Sequence, residues 1–339
     1  MKKTESKMQA AMIHKYGNNS EVHLQRVDTP KIGTTDVLIH IKAASVNPLD
    51  IRMREGKLKQ VLPLKLPLIL GHDLAGIVEA VGTKVSKFKV GDEVYTRCDT
   101  LRIGSFADYV AVKESNVSLK PRKLSMEEAA ALPLVSLTAW QILVEKANVQ
   151  KGQKVLIHGG AGGVGSIAIQ LAKHLGAYVA TTCGQDDFTA VKKHGADIAI
   201  DYRSEDFSTI LKEYDLVLDT QGGKTLEKSL HVLKRGGKAI SINGAPDIHM
   251  ANYLGLNPAM KLIMMAMSFM INRKAKKLGV TYAFHFMYPS GEQLDEIRVL
   301  VDKGVLCPVV DKVYPFSSIK EALAYSESGK SKGKIVIRI

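Results

Sequence analysis

A glycine-rich segment directly behind a short apolar run constrains the fold of this chain more than any other feature. The apolar run Val155–Ile157 leads into glycines, and apolar residues then recur at helical spacing from Val164 to Leu175. This order predicts a strand, a tight turn and a helix. The three glycines that match the pattern G-x-G-x-x-G are Gly160, Gly162 and Gly165.

Each glycine of that pattern has a physical role. The first allows the tight turn, the second lets the backbone approach a pyrophosphate, and the third lets the helix pack closely on the strand. The first turn of the helix, with Gly163 and Val164, would present free N–H groups and the positive end of the helix dipole to phosphates. The segment therefore predicts a dinucleotide site; the alternative is a glycine-rich turn that binds nothing.

Strand and helix patterns alternate behind this turn. The predicted strands are Val155–His158, Tyr178–Thr182, Ile198–Asp201, Leu216–Thr220 and Ala239–Asn243. The predicted helices are Val164–Leu175, Phe188–His194, Phe207–Glu213 and Thr225–Leu233. Such alternation predicts an α/β fold with a doubly wound parallel sheet whose ligand binds at the carboxyl ends of the strands.

The chain is too long for one ordinary hydrophobic core, and its sequence pattern divides it into two regions. At 339 residues, two domains are expected. Residues 8 to about 125 alternate in short apolar segments between glycines, which predicts a β-rich domain. We expect one domain from residues 1–131 and 288–339, and a dinucleotide-binding domain from residues 132–287.

Composition limits the classes of protein. The chain has 45% hydrophobic and 24% charged residues, no apolar run of about 18 residues and a polar N-terminus. Its three cysteines form no C-x-x-C pair, so we expect a cytoplasmic protein. The formal net charge of +13 raises the question of nucleic-acid binding, but aromatic residues are only 6% and do not interleave with the basic patches. A solvated basic surface is the favoured interpretation.

A methionine-rich segment, Met260–Met270, interrupts the alternation and precedes the basic run Arg273–Lys277. It predicts a helix. The favoured interpretation is a buried or interface helix; the alternative is a cap over an apolar substrate cleft, because methionine side chains adapt to varied shapes.

Several motifs along the chain together resemble one known family. They are Ser45–Asp50 (SVNPLD), Leu70–Gly76 (LGHDLAG), Val90–Val94 (VGDEV), Leu137–Ala139 (LTA), the glycine turn Gly160–Gly165, and Gly333–Val336 (GKIV). The chain resembles the medium-chain dehydrogenase/reductase superfamily, in the zinc-free branch of quinone oxidoreductases and alkenal or enone reductases. The resemblance implies a GroES-like catalytic domain beside a Rossmann domain, an active site in the cleft, and homodimers joined at the edges of the Rossmann sheets.

Members of that superfamily that use zinc hold it with Cys, His and Cys. Here Asn47 stands at the first position, Leu134 near the second cysteine, and only His72 remains. One histidine with a neighbouring carboxylate, Asp73, does not make a site without a third ligand. The four-cysteine structural loop is also absent, with Cys98 alone in that region. We therefore expect no metal.

Without a metal, reduction of a conjugated C=C is easier to arrange than carbonyl chemistry. Negative charge then develops on the carbonyl oxygen and needs hydrogen-bond donors. Asn47 and Arg52 are the polar candidates. Arg52 stands where quinone reductases of this branch often carry tyrosine, and it can equally be a surface cation. Residues that the resemblance places near the nicotinamide are Thr138, Asn243, Gly244, Phe284 and Phe286; simple packing is the alternative for each.

The second strand of the nucleotide fold indicates the cofactor. Its end, Thr182 to Gly184, carries no acidic residue to bind a ribose 2′-hydroxyl, so a 2′-phosphate is tolerated. Tyr202 is present with Arg203 beside it, whereas the lysine that related reductases often carry is missing. Asp186 and Asp187 stand there instead and either repel the phosphate or cap the next helix. We expect NADPH.

These observations predict an NADPH-dependent, zinc-independent reductase of quinones or α,β-unsaturated carbonyls with a small-molecule substrate. One alternative is an enoyl-thioester reductase, for which Arg273–Lys277 would supply a basic path to the carrier phosphates. The other is a non-catalytic nucleotide-binding regulator or RNA-binding protein on the same fold.

Overall fold

The computed structural model of the chain describes residues 7–339 and divides into two compact units. The first unit runs to Leu137 and resumes at Tyr288–Ile339, and the second is Thr138–Met287. One division thus lies at residue 287, and the other lies at residue 137 where the sequence suggested 131. The polar N-terminal segment lies, except for Lys7, outside the described residues.

Strands dominate the first unit and alternate with helices in the second. In chain order the strands are β1 (Lys7–Ile13), β2 (His23–Asp28), β3 (Asp36–Val46), β4 (Leu68–Ile69), β5 (Asp73–Val81), β6 (Glu93–Arg97), β7 (Tyr109–Lys113), β8 (Val117–Leu119), β9 (Lys154–His158), β10 (Tyr178–Cys183), β11 (Ile198–Asp201), β12 (Tyr214–Asp219), β13 (Leu233–Ser241), β14 (Thr281–Phe284), β15 (Val310–Pro315) and β16 (Lys334–Arg338).

The α-helices connect and cover these strands. They are α1 (Pro48–Arg54), α2 (Met126–Ala130), α3 (Pro133–Trp140), α4 (Gly163–His174), α5 (Phe188–Lys193), α6 (Phe207–Ile210), α7 (Gly223–Ser229), α8 (Ile248–Tyr253), α9 (Pro258–Lys277), α10 (Gly291–Asp302) and α11 (Ile319–Glu327). A π-helical segment, Gln141–Lys146, continues α3.

The first unit is built around two sheets. The larger has the order β15-β16-β3-β5-β6-β8, with β7 also paired to β3, and the smaller has the order β2-β1-β4. Strand β3 is the long central element, and it pairs antiparallel with β5 and with β16, which comes from the far end of the chain. This pairing brings residues near positions 45, 73 and 334 together.

The second unit is one parallel sheet with the order β11-β10-β9-β12-β13-β14. The first strand, β9, lies between the second and the fourth, so the chain reverses direction across the sheet at this point. Its core is formed by apolar side chains of the strands and of the covering helices. The predicted α/β class, a doubly wound parallel sheet with a second β-rich domain, is confirmed.

The methionine-rich segment forms a helix, as predicted, but it is mostly not buried. Helix α9 extends well beyond residues 260–270, and only one stripe is buried, at Met264, Ser268, Ile271 and Ala275. The expectation of a buried helix is wrong for the rest of its surface. No described helix is long and apolar enough to cross a membrane.

Candidate active site

The glycine turn lies at the carboxyl end of β9, as the sequence predicts. A Cβ atom on Gly160 would lie 2.2 Å from Oγ1 of Thr181, and one on Gly165 would lie 2.1 Å from the carbonyl oxygen of Gly159. A side chain at either position would therefore push against the neighbouring strand or the turn itself. At Gly162 the nearest atom to such a Cβ would be 3.3 Å away, the carbonyl oxygen of Gly159. This glycine leaves space beside the turn that a ligand can use.

Helix α4 begins directly behind the turn, with Gly162 as the preceding residue and Gly163 as its first. The first intrahelical bond runs from the N–H of Ser166 to the carbonyl of Gly162. The N–H groups of Gly163, Val164 and Gly165 therefore have no acceptor within the helix. Together with the helix dipole they fit a pyrophosphate.

At the end of the next strand, β10, the nearby charged side chain is a cation, Arg203, where an NAD-binding site would have an acid. A Cβ on Gly184, just after β10, would lie 2.8 Å from Nη1 of Arg203. The Arg203 guanidinium also lies over the ring of Tyr202, 5.1 Å from its centroid, and both residues are exposed. The hydroxyl of Thr182 lies 2.9 Å from Nδ1 of the buried His158 and accepts from the N–H of Gly159, at the glycine turn, at 3.4 Å. Asp187 precedes helix α5 but makes no side-chain capping bond to it, so the capping interpretation is wrong for this residue.

Asn243 and Gly244 follow β13 at the same edge of the sheet. The Asn243 side chain donates to the carbonyl of Gln221 at 3.0 Å. A Cβ on Gly244 would lie 2.6 Å from the hydroxyl of Tyr282. These two predicted residues therefore lie at the carboxyl ends of the strands, whereas Thr138 is buried within α3.

The end of β14 carries Phe284 and Phe286, both partly exposed. Between them, His285 is buried, and neither ring nitrogen has a hydrogen-bond partner among the described residues. Burial, with a smaller effect of Lys146, lowers the pKa of His285 to about 3, so the ring is neutral. The N–H of Phe284 donates to Oδ2 of Asp247 at 3.0 Å.

Two aspartates that the sequence analysis missed fix the loops at this edge. Asp219, at the end of β12, accepts from the Ser241 hydroxyl at 2.6 Å and from the N–H groups of Gln221 and Gly222. Burial raises its pKa, and these hydrogen bonds oppose the rise. Asp247 accepts from the first turn of α8 as well as from Phe284. For Asp219 the available signal was an acid at the end of an apolar strand; for Asp247 it was an acid at the N-cap position of a short helix.

In the first unit, the predicted residue Asn47 belongs to a buried polar cluster. Residue 335 pairs with residue 46 across β16 and β3, which places Lys334 beside Asn47, and Ser45 pairs with Asp73. The Lys334 ammonium donates to Oδ1 of Asn47 at 2.5 Å and lies 3.5 Å from Oδ2 of Asp73. The amide of Asn47 donates to Oδ2 of Asp73 at 2.9 Å and to the carbonyl of Ser45 at 3.4 Å. The amide hydrogens of Asn47 are thus engaged by the protein itself.

Burial dominates the electrostatics of this cluster. It lowers the pKa of Lys334 and raises that of Asp73, and in each case the charge of the partner opposes the shift. Next to it, Asp50 accepts from the N–H of Asn47 at 2.8 Å and from Nδ1 of His72 at 2.5 Å. All five side chains are buried. The sequence predicted none of the bonds to Lys334.

Arg52 is placed differently from Asn47. It lies on α1 with an exposed side chain, between the buried Ile51 and Met53. The structure thus makes Arg52 accessible to a small molecule and makes Asn47 a buried support for the end of β3.

Both units match models of known protein families. Residues 33–122 match the alcohol dehydrogenase GroES-like domain, and residues 194–337 match the zinc-binding dehydrogenases. The chain is 35% identical to the mitochondrial NAD(P)H oxidoreductase RTN4IP1 of Danio rerio, over 98% of this chain and 91% of that protein. It is 33% identical to the chloroplastic NADPH-dependent alkenal/one oxidoreductase of Arabidopsis thaliana, over 97% and 79%.

A solved structure agrees with these relatives. The quinone oxidoreductase from Coxiella burnetii superposes with a TM-score of 0.86 at 29% identity, covering 98% of this chain and 99% of that one. This chain belongs to the medium-chain dehydrogenase/reductase superfamily, in its quinone and alkenal reductase branch. It is therefore an oxidoreductase that uses a nicotinamide cofactor. Since the two relatives' names place them in mitochondria and chloroplasts, a cytoplasmic location stays a prediction.

Membership of a superfamily that includes zinc-binding dehydrogenases raises the question of whether this chain fits the metal. The residues do not fit it. Among residues 7–339, no group of three or more His, Cys, Asp or Glu side chains is arranged to hold a metal ion. Asn47 is bonded to Lys334 and Asp73, and position 134 is a leucine whose N–H donates to Oδ1 of Asp73 at 3.0 Å. An ammonium group, Lys334, already provides the positive charge in this cluster.

Proposed function

We propose that this reductase transfers hydride from NADPH to quinones or to the C=C bond of α,β-unsaturated carbonyls, without zinc. The observation that carries the proposal is the Asn47–Lys334–Asp73 cluster, since its donor set suits an internal ammonium and not a divalent metal. Without a Lewis acid, charge on a substrate oxygen must be met by hydrogen-bond donors. The name of the Arabidopsis thaliana relative and that of the Coxiella structure support this substrate class.

NADPH, when bound, supplies the hydride; the protein must bind it, orient it and provide a donor. The N–H groups at the start of α4 would hold the pyrophosphate, and Thr138, Asn243, Gly244, Phe284 and Phe286 remain candidates for contacts with the nicotinamide end. Arg52 is our candidate for the donor to the substrate oxygen. Asn47, which the sequence offered as a second donor, becomes a positioning residue because its amide hydrogens are taken by Asp73 and Ser45.

Product analysis tests the chemistry directly. With NADPH that carries deuterium at the transferable position, an enone should yield the saturated ketone with deuterium on the β carbon. The allylic alcohol would show reduction of the carbonyl and overturn the proposal. A parallel panel of quinones, alkenals and enoyl-CoA identifies the class, and activity confined to enoyl-CoA would favour the thioester reductase. RNA binding that falls steeply with salt, in the absence of any NADPH oxidation, would favour the non-catalytic alternative.

The choice of NADPH over NADH depends on Arg203 and Tyr202. Arg203→Gln should raise the KM for NADPH about tenfold or more, since one hydrogen bond to a charged group contributes about 1.5–3 kcal/mol. The KM for NADH should not change. Lys212→Gln, an exposed cation elsewhere in the same unit, is the control. Equal kcat/KM values for NADH and NADPH in the wild type would show that the acids at 186 and 187 dominate.

We also propose a homodimer. Strand β14 is at one edge of the parallel sheet, and among residues 7–339 its sheet partner is β13 alone. The main-chain groups of Tyr282 lie on its outer side and can pair with those of a second copy. Light scattering should give twice the mass of one chain. A monomeric wild type would contradict this.

A further inference from the structure

The outer face of helix α9 exposes an unusual amount of apolar surface. Six large side chains between residues 262 and 270 are at least half exposed: Leu262, Ile263, Met265, Met267, Phe269 and Met270. The buried stripe anchors the helix from the opposite side. We call the exposed residues from 262 to 277 the outer face. Contiguous apolar patches of this kind mark interaction sites with proteins, membranes or ligands.

The same face becomes cationic towards its end. At about 100° per residue, Arg273, Lys276 and Lys277 project on the same side as Leu262 and Phe269. None of the three cations has an acidic partner in the described part of the chain, whereas Lys274 pairs with Glu227 at 2.8 Å. From residue 248 to residue 291 the sequence contains no Asp or Glu. The helix dipole accounts for cations in the last turn, but it does not account for the exposed apolar residues before it.

We propose that the outer face of α9 binds the surface of an anionic lipid membrane. An apolar surface beside unpaired Lys and Arg matches acyl chains next to negative headgroups, and the net charge of +13 adds attraction at longer range. A nucleic acid can stack a base on Phe269, but it offers little apolar surface to Leu262 or Met270. A second copy docked face to face would place this face against itself, without any acid from the segment 248–291 to pair with the cations.

Sedimentation of the full chain with vesicles tests the proposal. We expect binding to vesicles of phosphatidylcholine mixed with phosphatidylglycerol, little binding to phosphatidylcholine alone, and release by salt. Leu262→Gln/Phe269→Gln should weaken binding at least tenfold. Val299→Gln, an exposed apolar position on α10, is the control. Thermal melting and NADPH binding of each variant confirm that it is folded.

Charge variants separate a local site from general attraction. Arg273→Gln/Lys276→Gln/Lys277→Gln should weaken binding about a hundredfold, at about fivefold per charge. Lys89→Gln/Lys303→Gln/Lys330→Gln removes the same charge from exposed positions elsewhere and should weaken binding far less. Equal losses in the two triple variants would overturn the proposal. So would a Leu262→Gln/Phe269→Gln protein that binds vesicles normally but changes from dimer to monomer, because a second copy would then cover the face.

Discussion

The glycine turn of the second unit and the Asn47 cluster of the first each place a set of polar groups at the end of a strand. They do so with opposite kinds of chemical group. The turn uses main-chain N–H groups from residues 163–165, which are neighbours in sequence and carry no formal charge. The cluster uses polar and ionisable side chains on or next to β3, β5 and β16, and its bond between Asn47 and Lys334 spans 287 positions. The glycine turn is a local solution, because its residues are neighbours in the chain, and it can be recognised in a sequence. The Asn47 cluster is a distant solution, because it depends on the register of strands that are far apart in the chain.

The two solutions also differ in what they cost. Taking Lys334 and Asp73 out of water costs free energy, which is why burial shifts the pKa of each towards its neutral form. The pair and its hydrogen bonds to Asn47 and Ser45 offset that cost only while all members are present. In the second unit, the buried His158 and His285 avoid the cost by remaining neutral.

The largest effect is expected from breaking the cluster. Lys334→Met should destabilise the protein by about 3–5 kcal/mol, because it leaves the Asp73 carboxylate buried without a cation. Urea unfolding followed by circular dichroism measures this. Lys330→Met, an exposed lysine in the same unit, should change stability by no more than about 0.5 kcal/mol.

A double variant tests whether charge is the cause. Lys334→Met/Asp73→Asn should recover part of the lost stability, since the buried charge is then removed with its partner. If Lys334→Met alone has little effect, Asp73 is already protonated in the folded protein, and the contrast between the two units loses its electrostatic basis.

The next effect is the pH dependence of the stability of the second unit. Burial lowers the pKa of His158 to about 4 from the ordinary value of 6.5. A depressed folded-state pKa gives a contribution that is complete above pH 6.5 and is lost as the pH falls towards 4, on the order of 3 kcal/mol. In His158→Gln the urea midpoint should therefore fall less between pH 7 and pH 4.5 than in the wild type. His23→Gln, an exposed histidine, should follow the wild type; identical profiles for all three proteins would contradict the neutral burial of His158.

Sequence patterns anticipated those parts of the fold that local chemistry determines. Strand β11 occurs at the predicted residues, because buried parallel strands are short apolar runs between helices. Strand β14 was missed, since Thr281–Phe284 is brief and follows a long helix. Strand β13 begins at Leu233, ahead of the predicted Ala239. The predicted start was too late because Gly236 and Gly237 are typical of a turn.

The site residues also divide into those that a local sequence pattern predicts and those that depend on how distant strands pair. The position of the glycine turn follows from its own sequence. The involvement of Asn47 in a buried cluster does not, because it requires β16 to pair with β3 in one particular register. The placement of Arg203 beside Gly184 likewise depends on the ends of two different strands. Such contacts become visible only when the register and strand order are known.

The smallest effect on stability is expected within the glycine turn, where two substitutions distinguish glycines needed for packing from glycines needed for cofactor binding. In Gly165→Ala the new Cβ would lie 2.1 Å from a main-chain oxygen that cannot move away, so we expect a loss of about 1–3 kcal/mol in stability and weaker NADPH binding. In Gly162→Ala the nearest atom is 3.3 Å away, so stability should change by less than about 1 kcal/mol. NADPH affinity, measured by fluorescence titration, should nevertheless fall at least tenfold, because the Cβ takes the space through which the pyrophosphate approaches. Unchanged affinity in a stable Gly162→Ala protein would mean that the turn serves packing alone, and the local solution would then be structural, as the distant one is.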